Sequence, residues 1–105
     1  MNVSLVYVTT TNPDEAGRIG EVLVAEKLVA SVNVLGEVRS IFHWEGEIHD
    51  KIETALLAKT STQRVSVVIE RIHALHSYQC PCIVTWCLDR GNDAYLNWIG
   101  RETTE

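Results

Sequence analysis

The chain has 105 residues, 46% of them hydrophobic and 22% charged, with a formal net charge of −5. That length suits one domain, residues 1–105, with a modest core, and the balance is ordinary for a soluble globular protein. The nine basic residues are scattered and outnumbered by fourteen acidic ones, so the positive footprint that nucleic acid or an anionic membrane requires is missing.

Val3–Thr11 is rich in β-branched residues and reads as a strand. Its apolar run, Leu5 to Val8, is too short for a signal sequence or a membrane span. Asn12-Pro13-Asp14-Glu15 opens a helix: Asn12 accepts from a free backbone N–H, Pro13 fits the first helical position and Glu15 completes a capping box. Ala16, Ile19, Val22 and Leu23 supply the apolar stripe, and the pattern predicts an end near Leu28. Val29–Leu35 and Val38–Trp44 are extended runs interrupted at Gly36, where a lone glycine predicts a bulge or bend. Glu45-Gly46 reads as a hairpin tip, with Ile48–Thr60 as the returning strand. That hairpin is long enough to project beyond a monomer of this size, which predicts packing on a neighbour.

Ser61 or Thr62 can cap a second helix, whose stripe is Val65, Val68, Ile69, Ile72, Leu75 and His76. Pro81 stops it, because the residue before a proline avoids the helical region. Cys82–Leu88 reads as a continuous buried-type strand, and Asn92–Gly100 as a terminal helix capped by Asn92. The order β-α-β-β-α-β plus a tail helix is an α+β chain of the ferredoxin-like, split βαβ kind.

That architecture hosts RNA binders, metal chaperones, regulators and enzymes, so the residues must choose among them. An RNA-recognition sheet needs stacking aromatics on its third strand, whereas Ile52–Ala58 has none. A soft-metal chaperone needs paired cysteines in its first loop, where Thr9-Thr10-Thr11-Asn12 stands. Gly36, Gly46 and Gly91 are isolated and form no phosphate-cradling loop. No nucleophile–base–orienter set is readable, so the sequence predicts a protein that is not an enzyme. The three cysteines all lie between Cys80 and Cys87, an odd number and no disulfide framework, which predicts a reducing, cytoplasmic setting.

Six ordered blocks carry a family resemblance. They are Val8-Thr9-Thr10 with Pro13-Asp14-Glu15-Ala16; Leu28-Val29-Ala30-Ser31-Val32-Asn33-Val34; and Ser40-Ile41-Phe42-His43-Trp44-Glu45-Gly46. The others are Glu53 with Leu57-Ala58-Lys59-Thr60; His76-Ser77-Tyr78 with Pro81; and Gly91, Tyr95, Leu96, Trp98 and Ile99. Together they span nearly the whole chain, which resembles the CutA family of divalent-cation tolerance proteins. The resemblance implies a homotrimer, a part in metal-ion response, and binding of a divalent cation such as copper or zinc. The chain departs from the family at four places. Ser31 stands where cysteine is usual, His43 where an aromatic residue is common, Ser77 in place of proline, and Cys82 in place of glutamate.

The candidate metal ligands are His76, Cys80 and Cys82. His76 ends the second helix; read structurally it is a hydrogen-bonded histidine, while the resemblance favours a ligand. In an extended segment the thiols of Cys80 and Cys82 point to one side, with their residues about 6.6 Å apart. They can hold a soft ion with His76 as third ligand. Read otherwise, they are small buried apolar residues or a redox pair. Cys87 has the opposite parity from Cys82 and belongs on the other face. Glu53 and Lys59 share a face and read as ion-pair members. An alternative function is a regulatory or scaffold trimer that takes a small metabolite or a protein partner in its inter-subunit clefts.

Overall fold

A computed structural model describes residues 2–103. Strand β1 (Val3–Thr10) leads into helix α1 (Pro13–Ala25), followed by strands β2 (Ser31–Trp44) and β3 (Glu47–Ser61). A 3-10 turn over Thr62–Arg64 then enters helix α2 (Val65–Leu75), and strand β4 (Ile83–Cys87) and helix α3 (Asp93–Glu102) complete the chain. The four strands form one antiparallel sheet in the order β2-β3-β1-β4. This is the predicted split βαβ arrangement with its tail helix.

Alternation along the strands assigns the two faces of the sheet. Val6, Val8, Leu56 and Ala58 point to one side, where Ala16, Ile19 and Leu23 of α1 and Val68 and Ile72 of α2 close over them. Helix α1 comes close to β2 because position 20 is glycine: a Cβ there would meet Val32 Cγ1 at 3.1 Å. Arg71 of α2 grips Glu26 past the end of α1 with two hydrogen bonds of 2.9 and 2.8 Å. Those bonds hold the Glu26 carboxyl below its ordinary pKa. On the other face α3 is tied down by a bond between Ser61 and Thr103, and Ile99 is fully buried. Much of that face has no layer over it within one chain. Val84 and Trp86 of β4 are 51% and 46% exposed.

Helix α1 stops at Ala25, three residues before the predicted end. Lys27 adopts φ 60°, the Leu28 N–H reaches Leu23 O at 3.0 Å, and the Lys27 N–H reaches Val24 O at 3.0 Å. This is a Schellman closure, with Leu23 and Leu28 supplying its hydrophobic contact. Glycine usually takes the left-handed position, because there a Cβ costs roughly 1–2 kcal/mol. Lys27→Gly is therefore expected to raise stability by about 0.5–1 kcal/mol, net of the extra chain entropy of glycine, in a urea melt.

Gly36 behaves as predicted. Its φ is 97°, and the β2–β3 register slips there, so that Leu35 bulges out between Val34 and Gly36. One continuous strand results where the sequence suggested two runs. The Glu45-Gly46 tip is also confirmed, with φ values of 48° and 81°, the pair of left-handed residues that a two-residue hairpin of matching twist requires. Helix α2 lacks the predicted side-chain cap. The Ser61 hydroxyl is engaged with Thr103, and the Thr62 hydroxyl lies 2.8 Å from Ser4 Oγ. Strand β4 is shorter than Cys82–Leu88, and only its Ile83 packs against the core. Its buried-type composition reflects a face that one chain leaves open. Among the described residues no helix is long and apolar enough to cross a membrane.

Candidate functional site

At one end of the sheet the exit of β1, the start of α1 and the loop after α2 meet. Asn12 caps α1, its Oδ1 accepting from the Glu15 N–H at 2.9 Å. The Glu15 carboxylate does more than the predicted capping box asks. Oε1 accepts from Thr11 N–H at 2.9 Å, one residue before the cap, and Oε2 accepts from Ser77 N–H at 2.8 Å. A residue of the first helix thus anchors the loop that follows the second. Glu15 is 4% exposed. Burial pushes its carboxyl up, but the bonds from Thr11 and Ser77, with His76 close by, outweigh this and leave its pKa below the ordinary 4.5.

His76 is buried and caps the end of α2 with extended backbone. Its Nδ1 accepts from the Tyr78 N–H at 3.1 Å, which leaves the ring proton on Nε2, where it is donated to Thr9 O at 2.8 Å. Both ring nitrogens are therefore committed to backbone groups. The Tyr78 hydroxyl donates to Glu53 Oε2 at 2.9 Å, and its ring lies 4.8 Å from the imidazole. Lys51 sits over the rings of Tyr78 and Phe42, at 4.9 and 5.9 Å.

Cys80 and Cys82 are both free and exposed, not buried apolar fillers. The Cys82 carbonyl accepts from the Thr9 N–H at 3.4 Å, which extends the β1–β4 ladder by one residue. Cys87 is paired with Ser4 near the other end of β4, and its sulfur lies 3.6 Å from Thr62 Oγ1. Among the described residues no three or more His, Cys, Asp and Glu side chains gather to hold a metal ion. The chain fold thus brings Cys80 and Cys82 to one loop and leaves His76 beneath it as a brace. Among the described residues neither Glu53 nor Lys59 forms an ion pair: Glu53 accepts from Tyr78, and Lys59 donates to Asn33 Oδ1.

Two links of this site were not readable beforehand. The Glu15–Ser77 bond joins residues 62 apart and the Tyr78–Glu53 bond residues 25 apart. Only the capping box, a local signal at Glu15, hinted at the first of them.

Comparison with known proteins is consistent across sequence and structure. The family model described as CutA1 divalent ion tolerance protein matches residues 4–102. The divalent-cation tolerance protein CutA of Archaeoglobus fulgidus is 37% identical over 102 residues, covering 97% of this chain and 98% of that protein. The protein of the same name from Thermus thermophilus is 39% identical over 100 residues, covering 95% and 96%. Among solved structures, CutA1 from Oryza sativa superposes with a TM-score of 0.96 at 30% identity, covering all of this chain and 96% of that one. A structure from A. fulgidus described as the periplasmic divalent cation tolerance protein CutA gives 0.94 at 34% identity, covering 97% and 99%. Matched over residues 4–102 by the family model and superposing over nearly its whole length on these structures, the chain belongs to the CutA1 divalent ion tolerance family.

Proposed function

We propose that this chain is a metal-ion response protein of the divalent-cation tolerance type that works as a homotrimer and binds a divalent cation, copper or zinc, weakly. The observation that carries the assembly is the β2–β3 hairpin. The molecule measures 44 × 26 × 22 Å, long for its size. On the helix side of the hairpin Ile41, Ile48 and Ile52 are 62%, 76% and 55% exposed, and on the other side Phe42 and Trp44 are exposed as well. A ribbon apolar on both faces is at odds with water and suits a place between neighbours. Val84, Trp86 and Tyr95 add apolar surface on the open face of the sheet. The role in metal-ion response is inferred from the relatives, whose names state divalent-cation tolerance. The role requires binding and assembly, not turnover of a substrate. Three free thiols in an odd number support a reducing, cytoplasmic compartment.

Sedimentation at micromolar concentration is expected to show one species with three times the mass of the 11.8 kDa chain. In a bacterial host lacking its own divalent-cation tolerance protein, expression of the chain is expected to raise the copper concentration that halts growth. A monomer in the first experiment sinks the assembly, and an unchanged growth limit in the second sinks the metal role.

A second reading, a scaffold whose clefts take a small anionic metabolite, draws on Lys51. Its ammonium lies over two aromatic rings beside the hydrogen-bonded Glu53. This reading predicts a rise in melting temperature with some carboxylate or phosphate metabolite, abolished in Lys51→Ala. An unchanged Tm across a panel of such metabolites would dispose of it.

A further inference from the structure

The three thiols of this chain are not equivalent. Cys87 has partners, Thr62 Oγ1 at 3.6 Å and Leu88 O at 3.8 Å. Cys80 and Cys82 are exposed and have no hydrogen-bond partner among the described residues. The loop that carries them is nonetheless held firmly. Ser77 N–H rests on Glu15, Tyr78 N–H on His76 Nδ1, Gln79 O lies 3.1 Å from His73 Nε2, and Cys82 O accepts from Thr9 N–H. Between the two cysteines Pro81 fixes its own φ near about −65° and keeps Cys80 out of the helical region. Two unpartnered sulfurs therefore project from a short segment braced on both sides.

Spacing decides what such a pair does best. The chain bends at Cys80, so the Cα atoms of Cys80 and Cys82 lie no farther apart than the roughly 6.6 Å of an extended pair. A disulfide requires the sulfurs to close to about 2.05 Å. A thiolate–metal–thiolate bridge needs them only about 4.6 Å apart, twice a metal–sulfur bond of about 2.3 Å. The looser requirement favours an ion between the sulfurs over a bond joining them. Thiolate donors select soft ions, and two of them suit a low coordination number, whereas structural zinc takes four ligands. His76 does not add a third, because both its ring nitrogens are bonded to backbone.

We propose that Cys80 and Cys82 form a two-thiolate site for a soft monovalent ion of the Cu(I) class, built within each chain and independent of His76. Its biological meaning rests on the metal-response reading above, but its chemistry does not. On binding, each thiol releases its proton and each sulfur donates an electron pair to the ion. Two protons leave, the complex carries one negative charge, and no oxidant or reductant is consumed because the copper arrives as Cu(I).

The test is an anaerobic titration of the reduced, full-length protein with Cu(I) against a chromophoric Cu(I) chelator, followed also by thiolate-to-copper absorption in the ultraviolet. One ion per chain is expected for the wild type, with the absorption band present. Cys80→Ser and Cys82→Ser are each expected to weaken binding at least about tenfold, or about 1.4 kcal/mol, and to lose the band. Cys87→Ser is expected to bind as the wild type does, because its thiol lies away from the braced loop. Absence of Cu(I) binding in the wild type, equal losses in Cys87→Ser, or one ion per two chains would each overturn the proposal. None of these outcomes bears on the sedimentation or growth results, so the two readings fail separately.

Discussion

Glu15→Ala is expected to lower stability by about 3 kcal/mol at pH 7 in a urea melt, which removes two charge-assisted hydrogen bonds worth roughly 1.5 kcal/mol each. Those bonds end on Thr11 N–H and Ser77 N–H. Thr11 and Ser77 are themselves exposed, so water can reach their amides once the carboxylate is gone. That places each loss at the lower end of the range for charged acceptors. The alanine also frees the loop 76–82 from α1. The same variant should therefore show faster amide exchange in that loop, while exchange at Ile19 and Leu23 changes only with global stability.

The pH dependence follows from the direction of the Glu15 shift. Its folded-state pKa lies below the ordinary 4.5, so between those two values the unfolded chain holds the extra proton. The carboxylate then contributes its full stability above pH 4.5 and loses it as pH falls through the folded value. Glu15→Gln keeps the shape and one acceptor but turns an amide N–H toward the other backbone donor. Its stability deficit against the wild type is expected to be about 1.5–2 kcal/mol at pH 7, and to shrink steadily as the pH drops below 4.5. A deficit constant across that range would show that Glu15 acts by packing and not by charge.

The features legible in the sequence are those written within a few residues. Asn12-Pro13-Asp14-Glu15 marks the start of α1, Glu45-Gly46 the hairpin tip, Gly36 the bulge and Asn92 the cap of α3, because each encodes a local dihedral or a local hydrogen bond. The early end of α1 was hidden because Lys27, not glycine, takes the left-handed position. Ser61 and Thr62 look like caps in isolation, yet their hydroxyls serve Thr103 and Ser4, partners 42 and 58 residues away. The same holds at the site. The C-x-C spacing was visible, but the commitment of both His76 nitrogens depends on Thr9 and on the turn at Tyr78. The apolar run of β4 predicted burial, but Ile83 is only partly buried against the core, and for Val84 and Trp86 the run marks a face that a single chain leaves bare.

That bare surface leads to the other large effect, the double substitution Ile41→Glu with Ile48→Glu. Ile41 is paired with Asp50 and Ile48 with His43, which puts both isoleucines on one face of the hairpin. Within the chain they are among the most exposed large apolar residues. Replacing them therefore removes little that holds a single chain together. The sheet continues to pair through Arg39 and Asp50, whose two hydrogen bonds measure 2.9 and 2.6 Å, and the core around Leu56 and Ile72 is distant from the change. In the proposed trimer the situation reverses. Burying an isoleucine contributes about 1.5–3 kcal/mol, so two contribute roughly 3–6 kcal/mol per contact, and buried carboxylates would add a desolvation cost. A loss of about 5 kcal/mol weakens association by a factor of roughly 10³–10⁴. Sedimentation is expected to find the double variant as a single folded chain at concentrations where the wild type is expected to sediment as a trimer. The dependence of melting temperature on protein concentration, expected for the wild type, should vanish with it. If the variant sediments as the wild type does, the hairpin lies outside the subunit contact, and the exposed isoleucines must be covered by something other than a second copy of this chain.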